Sequence, residues 1–175
     1  MSALDPDRFL LRTDRLLLRR IVSDDLPALY RLYSDPEVMA FASDPVFTSP
    51  GLMACFLASV ERGYASGDYY EFAVVLPEVG PIGTCSLHSF SADRREAELG
   101  YLLRRDLWRR GLMSEAVARL LRWGAQALAL QAVGAEVDAG NEASCRLLQR
   151  LGFVEQPDRT GCYRLVLAEP ARSDR

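Results

Sequence analysis

The spacing of apolar residues changes period twice between residues 95 and 138, and this constrains the fold more than any other feature of the chain. Arg95 to Leu103 reads as a strand. Gly111 to about Leu130 then places Met113, Val117, Leu120, Leu121, Gly124 and Leu128 on one helical stripe. Ala132 to Asp138 alternates Val133, Ala135 and Val137 against Glu136 and Asp138, the pattern of a half-exposed strand. A strand, a long helix and a second strand joined this closely make a right-handed parallel crossover. On the other side of the helix, Glu115 and Arg119 are spaced to pair at i,i+4.

The remaining segments add strands that return on themselves. Arg15 to Ile21 reads as a strand, and Ser23 before Asp24 and Asp25 opens a helix carrying Leu26, Leu29, Tyr30, Leu32 and Tyr33. Leu52 to Tyr64 predicts a second helix, closing near Gly67. Tyr69 to Leu76 and Ile82 to Phe90 flank the turn Pro77 to Pro81 as a hairpin. Asn141 starts a short helix with Gly152 as its C′ residue, and strands follow from Phe153 and over Cys162 to Ala168. The sum is an α/β (α+β) domain with a mixed, mostly antiparallel sheet, one parallel crossover and flanking helices. It is expected to occupy residues 1–168 as a single unit, with 169–175 a frayed polar tail.

Composition narrows the class of function. With 175 residues, 49% of them apolar, the chain can bury a core without disulfide or metal staples. Twenty-four acids against 21 bases, all of them Arg, give a net charge of −3, which weighs against a nucleic-acid binder. Cys55, Cys85, Cys145 and Cys162 show no metal-binding spacing and read as reduced, buried or partly buried thiols. The charged N-terminus lacks a signal-peptide core, and the most apolar stretch, Ala116 to Val133, is interrupted by Arg119 and Arg122. The expectation is a cytoplasmic protein with no membrane, nucleic-acid or metal partner.

The chemistry is expected at two strand-to-helix junctions. Arg104-Arg105-Asp106-Leu107-Trp108-Arg109-Arg110-Gly111-Leu112-Met113-Ser114 is an Arg-dense turn that becomes a helix N-terminus. Its free N–H groups and four arginines suit an anion, although a solvated basic turn fits the same residues. Neither GxxxxGK[ST] nor GxGxxG occurs. One crossover later, Val137-Asp138-Ala139-Gly140-Asn141-Glu142-Ala143-Ser144 repeats the arrangement, and Leu151-Gly152-Phe153 follows. Asn141 alone reads as a helix cap and Ser144 as a first-turn polar residue. Adjacent strands would nevertheless open both helix ends on one sheet edge, the usual crevice for a ligand.

Together these segments resemble the acetyl-CoA signature of the GNAT N-acetyltransferase superfamily, most closely its RimJ/RimL-like branch. LRTDRLLLRRIVSDDLPALYRLYSDPEVM is similar to that branch's first strand and helix, AELGYLL to its fourth strand, WRRGLMSEA to its pyrophosphate loop and NEASCRLLQRLGF to its last motif. Trp108 and Met113 hold the ends of a loop that more often reads Gln/Arg-x-x-Gly-x-Gly/Ala, and Arg109 replaces a frequent glycine. The resemblance implies acetyl-CoA as co-substrate. Its pyrophosphate would lie on the backbone of Arg109, Arg110, Gly111, Leu112, Met113 and Ser114 behind Trp108. Its pantetheine arm would run along the backbone of Tyr101, Leu102 and Leu103, with Asn141 on the other side.

The same resemblance implies direct attack of a primary amine on the thioester. The tyrosine that often serves as acid is replaced by Leu148, so Ser144 is the candidate to stabilise or protonate the thiolate. Glu98, inside an apolar strand, is the candidate base if partial burial raises its pKa, and an exposed strand carboxylate if not. His88, near Cys85 and Leu87, reads first as a structural or surface imidazole. Relatives acetylate protein N-termini, polyamines, amino sugars or amino acids, so the implied partner is a small-molecule or protein N-terminal amine. Acceptor contacts are expected from residues 36–67 and the last hairpin, in a monomer or homodimer. A CoA-sensing module without transfer, and a generic anion-binding α/β protein, are the alternatives.

Overall fold

The computed structural model describes residues 9–167. The expected frayed tail at 169–175 lies outside them. An eight-stranded mixed sheet has the order β1-β2-β3-β4-β5-β6-β8-β7. Its strands are Leu11–Arg12 (β1), Leu17–Arg20 (β2), Tyr70–Leu76 (β3), Gly80–His88 (β4), Glu96–Leu103 (β5), Ala132–Glu136 (β6), Val154–Glu155 (β7) and Cys162–Val166 (β8). The helices are Leu26–Tyr33 (α1), Pro36–Met39 (α2), Gly51–Ser66 (α3), Leu112–Ala127 (α4) and Glu142–Arg150 (α5). Every pairing is antiparallel except β5 with β6, the crossover that the change of period predicts.

Alternation along β4 sorts the helices to the two faces. Cys85 and Leu87 pack into the larger core with Val117, Leu120 and Leu121 of α4. Thr84 faces the other way, where the Tyr33 hydroxyl of α1 meets its hydroxyl at 3.1 Å. Because both faces are covered, β3 is buried over Tyr70 to Val75, which is why its sequence runs almost continuously apolar. A second cluster under α1 holds Leu29, Leu32, Met53, Ala73 and Val75.

Several local expectations shift. Ser23 does not cap α1; a short 3₁₀ turn over Ser23–Asp25 leads in, and Asp25 accepts the Val22 N–H at 2.9 Å. The Glu115–Arg119 pair does not form, because Glu115 is held by Thr13 and Arg15 while Arg119 donates to the Arg12 carbonyl. Cys55 is exposed, whereas Cys85 is buried and Cys145 and Cys162 are intermediate. No helix among the described residues is long and apolar enough to cross a membrane.

Candidate functional site

The parallel pair β5–β6 runs in register only over Glu96↔Ala132, Ala97↔Val133 and Glu98↔Gly134. Beyond Glu98, β6 turns to β8 while β5 continues to Leu103 beside β4. A cleft of 1270 Å³ fills the space between them, and every candidate catalytic or cofactor-binding residue lines it except Arg110. The strand's own register shows which backbone groups face it. The Arg104 N–H donates to the Ile82 carbonyl on the β4 side, and the Arg95 carbonyl accepts from Gln131 on the β6 side. Backbone groups alternate sides along a strand, so those of Leu99, Tyr101 and Leu103 face the opening. Leu102, opposite Thr84, turns its own to β4. The backbone pairing expected of three consecutive residues therefore reduces to Tyr101 and Leu103. One lone pair of the Leu103 carbonyl is also taken, by the Trp108 indole N–H at 2.7 Å.

At the far end of the cleft stands the N-terminus of α4. Arg109 and Gly111 both adopt left-handed backbone, with φ of 64° and 74°. Left-handed residues leading into a helix turn successive N–H groups toward one point, an anion-binding nest. Of the four arginines expected there, two are engaged elsewhere: Arg104 pairs with Asp106 at 2.8 Å, and Arg105 pairs with Glu37. Arg110 stays out of the cleft wall, and its carbonyl accepts from the Arg15 guanidinium at 3.1 Å. Arg109 remains as the loop arginine on the cleft.

Sequence reasoning missed the brace behind this loop. Arg15 reaches Glu115 of α4 at 2.7 Å while also holding the Arg110 carbonyl. Thr13 Oγ1 donates to the same carboxylate at 2.6 Å, and the Arg15 N–H does so at 3.0 Å. Burial pushes the Glu115 carboxyl up, but the hydrogen bonds from Thr13 and Arg15 outweigh it and hold the group below its ordinary value of 4.5. A depressed carboxyl adds stability above its unfolded pKa and loses it as pH falls through the folded value. Glu115→Gln should therefore lower Tm at neutral pH by the equivalent of about 1 kcal/mol, modest because Arg15 is half exposed. The gap to wild type should close as pH drops below 4.5. A gap that persists in acid would assign the loss to packing rather than charge.

The second helix end carries the expected pair. Asn141 caps α5, its Oδ1 accepting the Ser144 N–H at 3.2 Å, which leaves its amide N–H groups for the cleft. Ser144 also hydrogen-bonds the Tyr101 hydroxyl; burial pushes that phenol up, and Ser144 works against the shift. Leu148 is fully buried, so no acid stands in its place.

The face of the sheet under α1 supplies the other wall. Glu98 is partly buried, with 45% of its side chain exposed. His88, its side chain 34% exposed, lies 3.9 Å from it and also lines the cleft. Burial pushes the imidazole down and the Glu98 charge opposes this. The largest omission is Glu71, 4% exposed yet lining the cleft. It accepts a short hydrogen bond from the Tyr69 hydroxyl, and the hydroxyls of Thr84 and Ser86 also reach it. Burial pushes its carboxyl up, against the pull of these three donors. The signal was present in the sequence, as the single acid within Tyr70-Glu71-Phe72-Ala73-Val74-Val75.

Register places Glu71 opposite Ser86, and Ser86 opposite Gly100. A Cβ at Gly100 would stand 2.8 Å from Ser86 Oγ and 3.4 Å from His88 Nε2. The missing side chain keeps this row open from the buried carboxylate to the point where β5 and β6 part.

A nest of N–H groups at one end, free strand backbone along one side and polar groups at the parting point suit an elongated ligand with an anionic head. The Acetyltransferase (GNAT) domain matches residues 15–154. The chain is similar to an uncharacterized N-acetyltransferase, p20, of Bacillus licheniformis, at 31% identity over 147 residues covering 83% of each chain. Its fold is that of a putative ribosomal-protein-serine acetyltransferase from Vibrio cholerae, with a TM-score of 0.79 at 22% identity over 94% of this chain and 100% of that one. It is also that of RimL, a ribosomal L7/L12 alpha-N-protein acetyltransferase solved with coenzyme A, with a TM-score of 0.77 at 18% identity over 90% and 98%.

Proposed function

The chain belongs to the GNAT acetyltransferase family, and from that premise we propose that it moves the acetyl group of acetyl-CoA to a primary amine by direct attack on the thioester. The observation that carries this reading is the early parting of β5 and β6, which frees strand backbone beside a helix-terminal nest. Acetyl-CoA, when bound, supplies the activated acyl group. The N–H groups from Arg109 to Ser114 hold its pyrophosphate, and Arg109 adds charge at the cleft wall. Tyr101 and Leu103 hold the arm along β5, and the Asn141 amide reaches it from the facing helix end.

The amine enters over Gly100. Glu98, at the parting point beside His88, receives its proton directly or through one water and passes it toward solvent. Ser144, oriented by the Tyr101 hydroxyl, returns a proton to the departing sulfur. Most of the rate enhancement is then positioning, which fixed backbone supplies well.

Because CoA binds the native state alone, a hundredfold excess over its dissociation constant should stabilise the fold by about 2.7 kcal/mol. For a chain of this length that is a rise in Tm of roughly 5–11 °C. No rise at millimolar CoA would remove the cofactor assignment, and an equal rise with ATP would point to generic anion binding. Incubation with acetyl-CoA and a pool of primary amines should release free thiol and yield acetylated products by mass spectrometry. A rise in Tm without thiol release would favour the CoA-sensing alternative.

A further inference from the structure

Glu71 has no part in the transfer just described, and its setting needs a reason. A buried carboxylate is normally paired with a cation, because desolvating an unpaired charge is costly. Among the described residues no Arg or His lies within ion-pair distance of Glu71. Its neighbours are hydroxyls, and the Asp44 carboxylate adds a further negative charge to its surroundings. Asp44 and Glu98 line the same cleft, while Arg105 is drawn off by Glu37. Burial holds His88 toward its neutral form, so it does not supply the missing charge. Glu71 thus stands on the cleft as a buried carboxylate with no cationic side chain beside it among the described residues.

Distance on the sheet indicates which cation. Glu71, Ser86 and Gly100 form one row across β3, β4 and β5, and Glu98 stands two residues from Gly100 on the same face. Strand spacing and rise then separate the Glu71 and Glu98 Cα atoms by about 12 Å. Side chains on one sheet face stand roughly perpendicular to it, so the two carboxylates keep about that spacing, and an amine reacting beside Glu98 leaves Glu71 for a different nitrogen. The Tyr33 and Tyr69 rings wall the approach, and the row between the two acids is open at Gly100. We propose that Glu71 binds a second positive charge on the acceptor, so that the substrate is a slender linear amine cationic at both ends. This rests on the amine-transfer reading. It gives no advantage to a free amino acid or a protein N-terminus that lacks a second positive charge.

The test compares a homologous series of linear diamines with alkyl monoamines of matching length. Thiol release from acetyl-CoA is followed, and in parallel each amine is titrated calorimetrically into the CoA-loaded protein. A charge-assisted contact predicts that the best diamine exceeds its matched monoamine at least tenfold in both kcat/KM and affinity. Glu71→Gln should bring that ratio close to one, chiefly through KM, while Glu71→Asp should retain part of it. The CoA-dependent rise in Tm reports whether each variant is folded. Equal treatment of diamine and monoamine by the wild type would overturn the proposal without any variant. So would an undiminished preference in folded Glu71→Gln, or a capped peptide amine that outperforms every diamine. If no amine releases thiol, the transfer reading fails, and the calorimetric ratio still decides the role of Glu71.

Discussion

Glu98→Gln should slow acetyl transfer roughly 10²–10⁴-fold, the usual cost of losing a general base. An amine is mostly protonated near neutral pH, so its proton must leave before or during attack. The carboxamide keeps the shape of Glu98 but cannot accept that proton. The position suits the role, because Glu98 is the last residue of β5 in register with β6 and stands at the start of the opening. CoA affinity should change little, since the nest at Arg109 and Gly111 lies at the other end of the cleft. Ser144→Ala should act on departure of the thiolate and lower turnover most at high pH, where water donates protons poorly. If both residues serve one transition state, the double variant should lose less than the product of the singles. Single-turnover kinetics across pH would show this. Wild-type turnover in Glu98→Gln would return that carboxylate to a solvated strand position.

Gly111→Val should produce the second large effect, on binding rather than on chemistry. Gly111 sits at φ 74° immediately before α4, where a β-branched residue is strongly disfavoured. A side chain there costs about 1–2 kcal/mol in backbone strain alone, or roughly 2–8 °C in Tm. If the helix start relaxes to escape the strain, the N–H groups no longer converge, and CoA affinity should fall at least tenfold. Among the described residues the only atom near the added Cβ is Arg15 Nη2 at 3.6 Å, so crowding from them contributes little. Gly111→Asn separates the two causes, because Asn tolerates left-handed backbone. It should recover most of the stability, and its CoA affinity then reports how closely phosphate approaches this backbone. Unchanged affinity in both variants, measured by calorimetry, would place the pyrophosphate elsewhere.

The sequence by itself determined the order of elements, because that order is written in local periodicity. The stripe from Met113 to Gly124 appears as α4 and the alternation from Ala132 as β6; element ends moved by a few residues, and the two-residue strand β1 and the single-turn helix α2 left no pattern to read. It also determined the two helix termini, since turns rich in Arg, Gly and Asn signal them without reference to distant residues. Tertiary structure alone decided which groups meet. Arg15 and Glu115 are a hundred residues apart in the chain, and no periodicity announces that they brace one loop. Whether Tyr101 or Leu102 offers backbone to the cleft depends on register with β4, which a one-residue slip would invert. Glu98 and Glu71 both read as lone acids in apolar strands, yet one stands half in solvent and the other is sealed beneath Tyr69. Burial depends also on what packs nearby from elsewhere in the chain, and beside Glu71 that includes Thr84 of β4, which reaches its carboxylate and itself meets Tyr33 of α1, neighbours no local pattern records.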